Sequence, residues 1–205
     1  YTRYGSSSNS LSHTSILSLH KDMQGNIWVG TYYGGVNVFN PDKNNHSFYC
    51  AEPLREDCLS FPVVGKMTED SVGNVWICTE GGGLNCYHGD TGVFSRYMYQ
   101  KGDQSTLGSN NVKSVFYRKE NNRLYAGTHL GGLFVLDLKS NKGHTLHHVT
   151  GDPASLPHEI VNDIQEYKDG IAMLTQGGPV FFDPVTEKFS PLTDDPSVQK
   201  LISRE

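Results

Sequence analysis

The groups of this chain able to hold a metal, attack a bond or move a proton are its nine histidines, four cysteines and 22 acidic residues. Glu80 and His129 stand in like settings, Thr79-Glu80-Gly-Gly-Gly and Thr128-His129-Leu-Gly-Gly, so a carboxylate and an imidazole share one place in two similar segments. A glycosidase or lyase needs two carboxylates, or a Tyr/His pair, converging on one pocket, and nothing else in the sequence completes that set. His144, His147 and His148 are spaced three and one apart, which suits no usual zinc motif, and they read as solvated side chains. Cys50 and Cys58 fall in one loop and can bridge in an oxidising compartment. The sequence contains no Ser/His/Asp arrangement, phosphate loop or Cys-x-x-Cys motif, and neither a metal nor a cofactor is expected.

What must position these groups is a unit that the chain repeats. Asp22-Met-Gln-Gly25-Asn26-Ile-Trp28-Val-Gly-Thr31-Tyr32-Tyr33-Gly34-Gly35 returns as Asp70-Ser-Val-Gly73-Asn74-Val-Trp76-Ile-Cys-Thr79-Glu80-Gly-Gly82-Gly83. A third copy has Tyr125 in place of the Trp before Thr128, Gly131 and Gly132; a fourth has Ala172 there, and Pro179 in line with the second glycine. Thr31, Thr79, Thr128 and Thr175 are 48, 49 and 47 residues apart. A period of this size without a helical stretch marks one supersecondary unit used repeatedly. In this alignment Cys78 takes the place of Gly30, Gly127 and Leu174, and Cys86 that of Val38, Val135 and Phe182, so both read as small core residues and not as a metal pair.

Each copy resolves into four short apolar runs. The first is Ile16-Leu-Ser-Leu19 and its echoes at Val64, Val112 and Val161, each introduced by a leucine and a turn residue such as Leu11-Ser12. The second carries the aromatic residue, and the two-glycine reversal into the third is a strong hairpin signal. The fourth, more polar run is Phe48-Tyr49, Phe94 to Tyr97, Leu146 to Val149 and Phe189 to Leu192. Four antiparallel strands per period, the inner ones most apolar, make a β-propeller blade, with each Trp burying on the order of 150–250 Å² between blades. The fold class is therefore all-β: blades at 11–51, 59–98, 107–149 and 156–192, an outer strand of a preceding blade and a loop at 1–10, and a tail or the start of a next blade at 193–205. A ring must close to remove its edge strands, so four consecutive blades of a larger, seven-bladed ring are expected. The alternative is a closed four-bladed ring completed by Tyr1-Thr-Arg-Tyr4, which resembles Phe94-Ser-Arg-Tyr97. In either ring Ala172 should pack less tightly on its neighbour than the aromatic residues do.

Bulk properties exclude several functions. A net charge of −5 without a Lys/Arg cluster argues against nucleic acid as a partner. No apolar run approaches the roughly 20 residues that cross a bilayer, so direct membrane insertion is not expected of these residues.

The run Asp-x-x-Gly-Asn-(Ile/Val)-Trp-(Val/Ile)-x-Thr-x-x-Gly-Gly, preceded by Leu-Ser, resembles the two-component regulator propeller repeat over most of residues 11–192. That resemblance implies the periplasmic sensor region of a Bacteroides-type hybrid histidine kinase. It also implies an oligosaccharide ligand and signalling to polysaccharide-utilisation genes. Other implied partners are the rest of the propeller and an immunoglobulin-like domain of the parent chain, with a homodimer left open. Trp28, Trp76, Tyr125 and the glycine pairs Gly34/Gly35, Gly82/Gly83 and Gly131/Gly132 are architectural, so no ligand contact carries over from them. The sialidase Asp-box does not fit, because Asp22 and Asp70 precede their glycines by three residues and not two; an Asp bonding turn amides is expected instead.

The ligand candidates come from the least repeated positions of the loops that share one propeller face: Tyr32, Tyr33, Glu80, His129 and Gln176 in the hairpins, Arg55 and His158 in the crossings between blades. Aromatic planes beside charged and amide groups suit sugars, which offer an apolar face and a rim of hydroxyls. Catalysis is not expected. The alternatives are a protein-interaction scaffold and, third, a propeller glycosidase or lyase.

Overall fold

The computed structural model describes residues 10–43, 45–52, 54–55 and 57–194. Residues 1–9 and 195–205, which hold most of the outer strand and loop expected at 1–10 and of the tail or start of a next blade expected at 193–205, lie outside the described residues. Among the described residues, sixteen strands form four antiparallel sheets, each built from four strands consecutive in the chain. The first sheet holds β1 (Ile16–Lys21), β2 (Ile27–Thr31), β3 (Val36–Asn40) and β4 (Asn45–Tyr49). The second holds β5 (Val64–Glu69), β6 (Val75–Thr79), β7 (Leu84–Tyr87) and β8 (Phe94–Tyr97). β9 (Val112–Arg118), β10 (Arg123–Thr128), β11 (Leu133–Asp137) and β12 (Lys142–Leu146) form the third. β13 (Val161–Tyr167), β14 (Gly170–Thr175), β15 (Gly178–Asp183) and β16 (Lys188–Pro191) form the fourth, followed by a single 3-10 turn, Leu192–Asp194. These are the blades of an all-β propeller.

The first strands of consecutive blades pack side by side, β1 on β5, β5 on β9 and β9 on β13, and so line the axis. Apolar clusters then fill each space between neighbouring blades. Trp28 packs on Val64, Val75, Ile77 and Phe94 of blade 2. Trp76 packs on Val112, Leu124, Ala126 and Leu136 of blade 3, and Tyr125 on Ile171, Met173 and Phe182 of blade 4. The middle strand β6 is buried at every residue, as a strand covered on both faces must be. Cys78 and Cys86 lie in this packing as buried free thiols, and burial pushes the Cys86 thiol up to about 12.

The aspartates do what the turn chemistry requires, and more. Asp22, 7% exposed, accepts bonds from the Gln24 and Asn26 amides, from Asn26 Nδ2 and, at 2.7 Å, from the Trp28 indole N–H. Asp70 holds Trp76 in the same way at 3.0 Å. Where the Trp becomes Tyr125, the partner changes with it, and Asn121 Nδ2 donates to the tyrosine hydroxyl at 2.7 Å. A buried carboxylate surrounded by donors is tolerable, and its Trp is locked into the space between blades.

The structure departs from the sequence reading at three places. In the fourth blade the hairpin is one residue shorter: Thr175 Oγ1 donates to the Gly178 carbonyl, so Gly178 takes the role of Gly35, and Pro179 sits inside β15 opposite Leu174. The third strand therefore shifts by one, and Phe181, not Phe182, faces Ala172 as Cys86 faces Trp76. In the third blade the fourth strand ends at Leu146, opposite Leu133, so it runs over Lys142–Leu146 and leaves His147, His148 and Val149 in the crossing. The histidines read as solvated keep their solvent contact, and each has a partner as well: His144 Nε2 lies 2.9 Å from Glu187 Oε2, His147 Nδ1 3.1 Å from Glu159 Oε2, and His148 Nδ1 2.8 Å from the Leu156 carbonyl. Outer-strand polar groups meet the next blade here, and short-range pairing follows. Ala172 alternates with Ile171 and Met173, which pack with Tyr125 of blade 3, and so faces away from that blade.

Candidate ligand-binding rim

The loops named from sequence do emerge together, and backbone hydrogen bonds fix how. The residue after each threonine donates its N–H to the approach of its own first strand: Tyr32 to Ser15, Glu80 to Val63, His129 to Asn111 and Gln176 to Ile160, at 2.9 to 3.1 Å. The second glycine of each pair donates to the crossing that enters the next blade: Gly35 to Pro62, Gly83 to Asn110 and Gly132 to Glu159. Hairpins and crossings are thereby laced into one rim, on which Tyr32, Glu80, His129 and Gln176 occupy equivalent places.

Glycine is required at that second position for two reasons. Gly35, Gly83 and Gly132 have φ of 70, 74 and 71°, a left-handed backbone that a Cβ disfavours. A Cβ there would also fall inside the carbonyl oxygen of Tyr49, Tyr97 or Leu146. Each threonine closes the turn from within, Thr31 Oγ1 donating to the Gly35 carbonyl at 2.9 Å and Thr79 Oγ1 to that of Gly83 at 2.7 Å.

Against this fixed frame the side chains differ by blade. In blade 1, Tyr32 and Tyr33 cross edge to face with ring centroids 4.6 Å apart, and His13 approaches Tyr32 at 6.3 Å. Tyr33 is 60% exposed and has φ of 67°, where blade 2 places Gly81. Leu130, φ 60°, holds that place in blade 3. A bulky residue in this conformation is strained by about 1–2 kcal/mol, so its side chain is kept at a cost to stability.

Glu80 and His129 are neighbours through Asn111, which pairs with Glu80 in an antiparallel bridge and accepts the His129 amide. Lys113 Nζ binds Glu80 Oε1 at 2.8 Å, giving this part of the rim an ion pair and not a lone carboxylate. Arg55 lies in the crossing from blade 1 to blade 2, paired with Asp57 at 3.0 Å, which holds the Asp57 carboxyl below the usual carboxylate range. His158 accepts the Ile160 amide on its Nδ1 and stands beside Gly177. The candidates thus lie at successive stations along the rim. Among the described residues, no group of three or more His, Cys, Asp or Glu is placed to hold a metal.

Among the described residues, cavities lie away from these stations, two of them at the axis and beside blade 1. One, of about 420 Å³, is lined by the four first strands through Leu17, Leu19, Lys66, Phe116 and Gln165, with Lys66 of blade 2 reaching Asp163 of blade 4. The other, of about 170 Å³, opens between blades 1 and 2 beside Asp22, Asn26, Asn40 and Trp28.

Several supporting residues escaped the sequence reading. Asn37 and Ser12 bond reciprocally, the Ser12 amide donating to Asn37 Oδ1 at 3.1 Å and Asn37 Nδ2 to Ser12 Oγ at 2.6 Å. Asn85 and Ser60 repeat this pair. Their signal was joint variation between copies, since Gly108 faces no such asparagine in blade 3. Arg96 gathers the blade 1 to blade 2 crossing, donating to the carbonyls of Glu52, Arg55, Cys58 and Leu59; its signal in the sequence was its recurrence as Arg3 in Tyr1-Thr-Arg-Tyr4.

The geometry can be set beside known proteins. Residues 10–33 match the two-component regulator propeller. Over 93% of its length the chain is similar to the extracellular domain of BT3049 of B. thetaiotaomicron, assigned to a hybrid two component system, with 26% identity and a TM-score of 0.74. The extracellular domain of BT4673 from the same bacterium, assigned to a one component system, matches over 89% with 22% identity and a TM-score of 0.70. PorZ of Porphyromonas gingivalis, a surface component of the type-IX secretion system, shares the fold at 14% identity over 92% of the chain, with a TM-score of 0.65. The chain spans 25%, 25% and 29% of these three structures. Among curated proteins, none matches the chain. No helix of the described residues is long and apolar enough to cross a membrane.

Proposed function

We propose that this propeller region is a non-catalytic, periplasmic sensor module of a hybrid two-component histidine kinase, reading an oligosaccharide on its rim. The observation that carries the reading is Tyr33, an exposed aromatic held at positive φ at a rim position where glycine would relieve the strain. With Tyr32 set edge-on beside it and His13 behind, it offers a pyranose ring an apolar face, while Glu80, Lys113 and His129 supply polar partners farther along the rim. The similarity to extracellular domains of two-component systems supports the sensor reading. In the parent, closure of a seven-bladed ring by further blades and contact with an immunoglobulin-like domain would carry the signal to a kinase.

Calorimetry against a panel of neutral and acidic oligosaccharides tests this. Micromolar binding that Tyr33→Gly abolishes without lowering the melting temperature is expected. Binding unaffected by Tyr33→Gly and Tyr32→Ala removes the rim site, and turnover of a bound glycan makes the protein an enzyme. A second reading, a docking surface for protein, has its own observation: Leu130 and Val149 are exposed apolar residues on the same face. Capture of a protein partner that Leu130→Asp prevents, with no glycan bound, would favour it.

A further inference from the structure

We propose that Cys50 and Cys58 are a redox pair, closing to a disulfide that locks the crossing from blade 1 to blade 2. The structure holds all four cysteines as thiols. Ala51 and Leu59 form a parallel bridge, with the Glu52 amide donating to the Leu59 carbonyl at 3.3 Å. Parallel segments lie about 5 Å apart with facing side chains on the same side. Cys50 and Cys58 are the residues immediately before that bridge on its two segments, a register that sets them beside each other, as a disulfide spanning roughly 4.4–6.8 Å between Cα atoms requires.

The approach is held from outside. Arg96, from β8 of the second blade, donates through Nε to the Cys58 carbonyl at 2.9 Å and through Nη2 to the carbonyls of Glu52 at 3.1 Å and Leu59 at 3.2 Å. One guanidinium therefore clamps both sides of the bridge. Access separates this pair from the others: Cys50 is exposed and Cys58 half-buried, while Cys78 and Cys86 lie in the core. Each rim thiol rests on a carboxylate, Cys50 Sγ 3.9 Å from Glu52 Oε1 and Cys58 Sγ 3.7 Å from Asp57 Oδ1. Burial, opposed by Arg55 and aided by Asp57 and Glu52, pushes the Cys58 thiol up. Cys50, the more exposed, is the thiol that an external oxidant meets first.

The oxidant is a small disulfide of the glutathione class. The Cys50 thiolate attacks one of its sulfurs and displaces a thiolate, leaving a mixed disulfide. Cys58 loses its proton, attacks Cys50 Sγ and displaces the second thiolate. Two electrons pass to the oxidant, and the two cysteine protons end on the two released thiols. The bond closes a short loop that carries Arg55 and Asp57 and fixes a crossing whose Pro62 anchors the Gly35 hairpin.

Intact mass spectrometry and peptide mapping of the full chain, equilibrated in oxidised and reduced glutathione and then alkylated without denaturant, test the proposal. Oxidation should lower the mass by two hydrogens, remove two alkylation sites together and give a Cys50–Cys58 linked peptide, with Cys78 and Cys86 alkylated only after denaturation. Cys58→Ser should instead accumulate one glutathione on Cys50, at least tenfold above the wild-type level. Stable glutathione on either rim cysteine of the wild-type chain, disulfide-linked dimers, or an unchanged mass in fully oxidised buffer overturns it.

Discussion

Replacing Trp76 by alanine removes the largest side chain between blades 2 and 3, and the structure fixes how much stability should go with it. Trp76 is 3% exposed and packs on the Val112, Leu124, Ala126 and Leu136 cluster. Losing roughly 170 Å² of buried area at about 25 cal/mol per Å² comes to about 4 kcal/mol. The indole bond to Asp70 adds about 1 kcal/mol and no more, because the carboxylate keeps the Val72 and Asn74 amides and Asn74 Nδ2 as donors. The expected loss is about 4 to 5 kcal/mol, at the upper end for such truncations. Trp76→Phe, which drops the hydrogen bond and gives up part of the ring area, should lose about 2 kcal/mol. Urea unfolding followed by far-UV circular dichroism measures both, with Trp28 left as the fluorescent reporter. A loss under about 1.5 kcal/mol for the alanine variant would refute the account of stacked blades sharing one buried interface.

Gly83→Ala should cost at least about 2 kcal/mol in the same unfolding assay, since strain at φ 74° adds to the collision with the Tyr97 carbonyl. Gly102→Ala, at φ 85° with open space around it, should cost about 1 kcal/mol from backbone strain alone. Tyr33→Gly should raise stability by up to about 1 kcal/mol, the opposite sign to its effect on glycan binding. Burial lowers the His20 pKa below 6.5 against the pull of Asp22, so the unfolded chain binds the proton more readily. Its contribution is therefore present above pH 6.5 and lost as pH falls through the lower folded value. Urea midpoints at pH 7.5 and 5.5 should show a smaller drop for His20→Gln than for the wild-type chain.

Local chemistry made most of the architecture readable. Asp-x-x-Gly-Asn turns, Thr-x-x-Gly-Gly hairpins and their regular return depend on contacts within a few residues, so four like sheets followed from the sequence, as did the buried places of Trp28, Trp76 and Tyr125. Where a copy degenerated, local signals misled: one residue fewer in the Thr175 hairpin moved Pro179 and Phe181 by a position, and only the strand pairing reveals it. Facts about neighbouring blades were beyond the sequence, because their partners lie some 30 to 50 residues away: Gly83 donates to Asn110, Glu80 meets Lys113, and Arg96 clamps both sides of the Ala51 bridge. The lacing of hairpins to crossings along the rim was likewise a tertiary outcome, since each of its hydrogen bonds joins segments distant in the chain. The repeat sets what each blade is; the packing of one blade on the next sets which side chains meet.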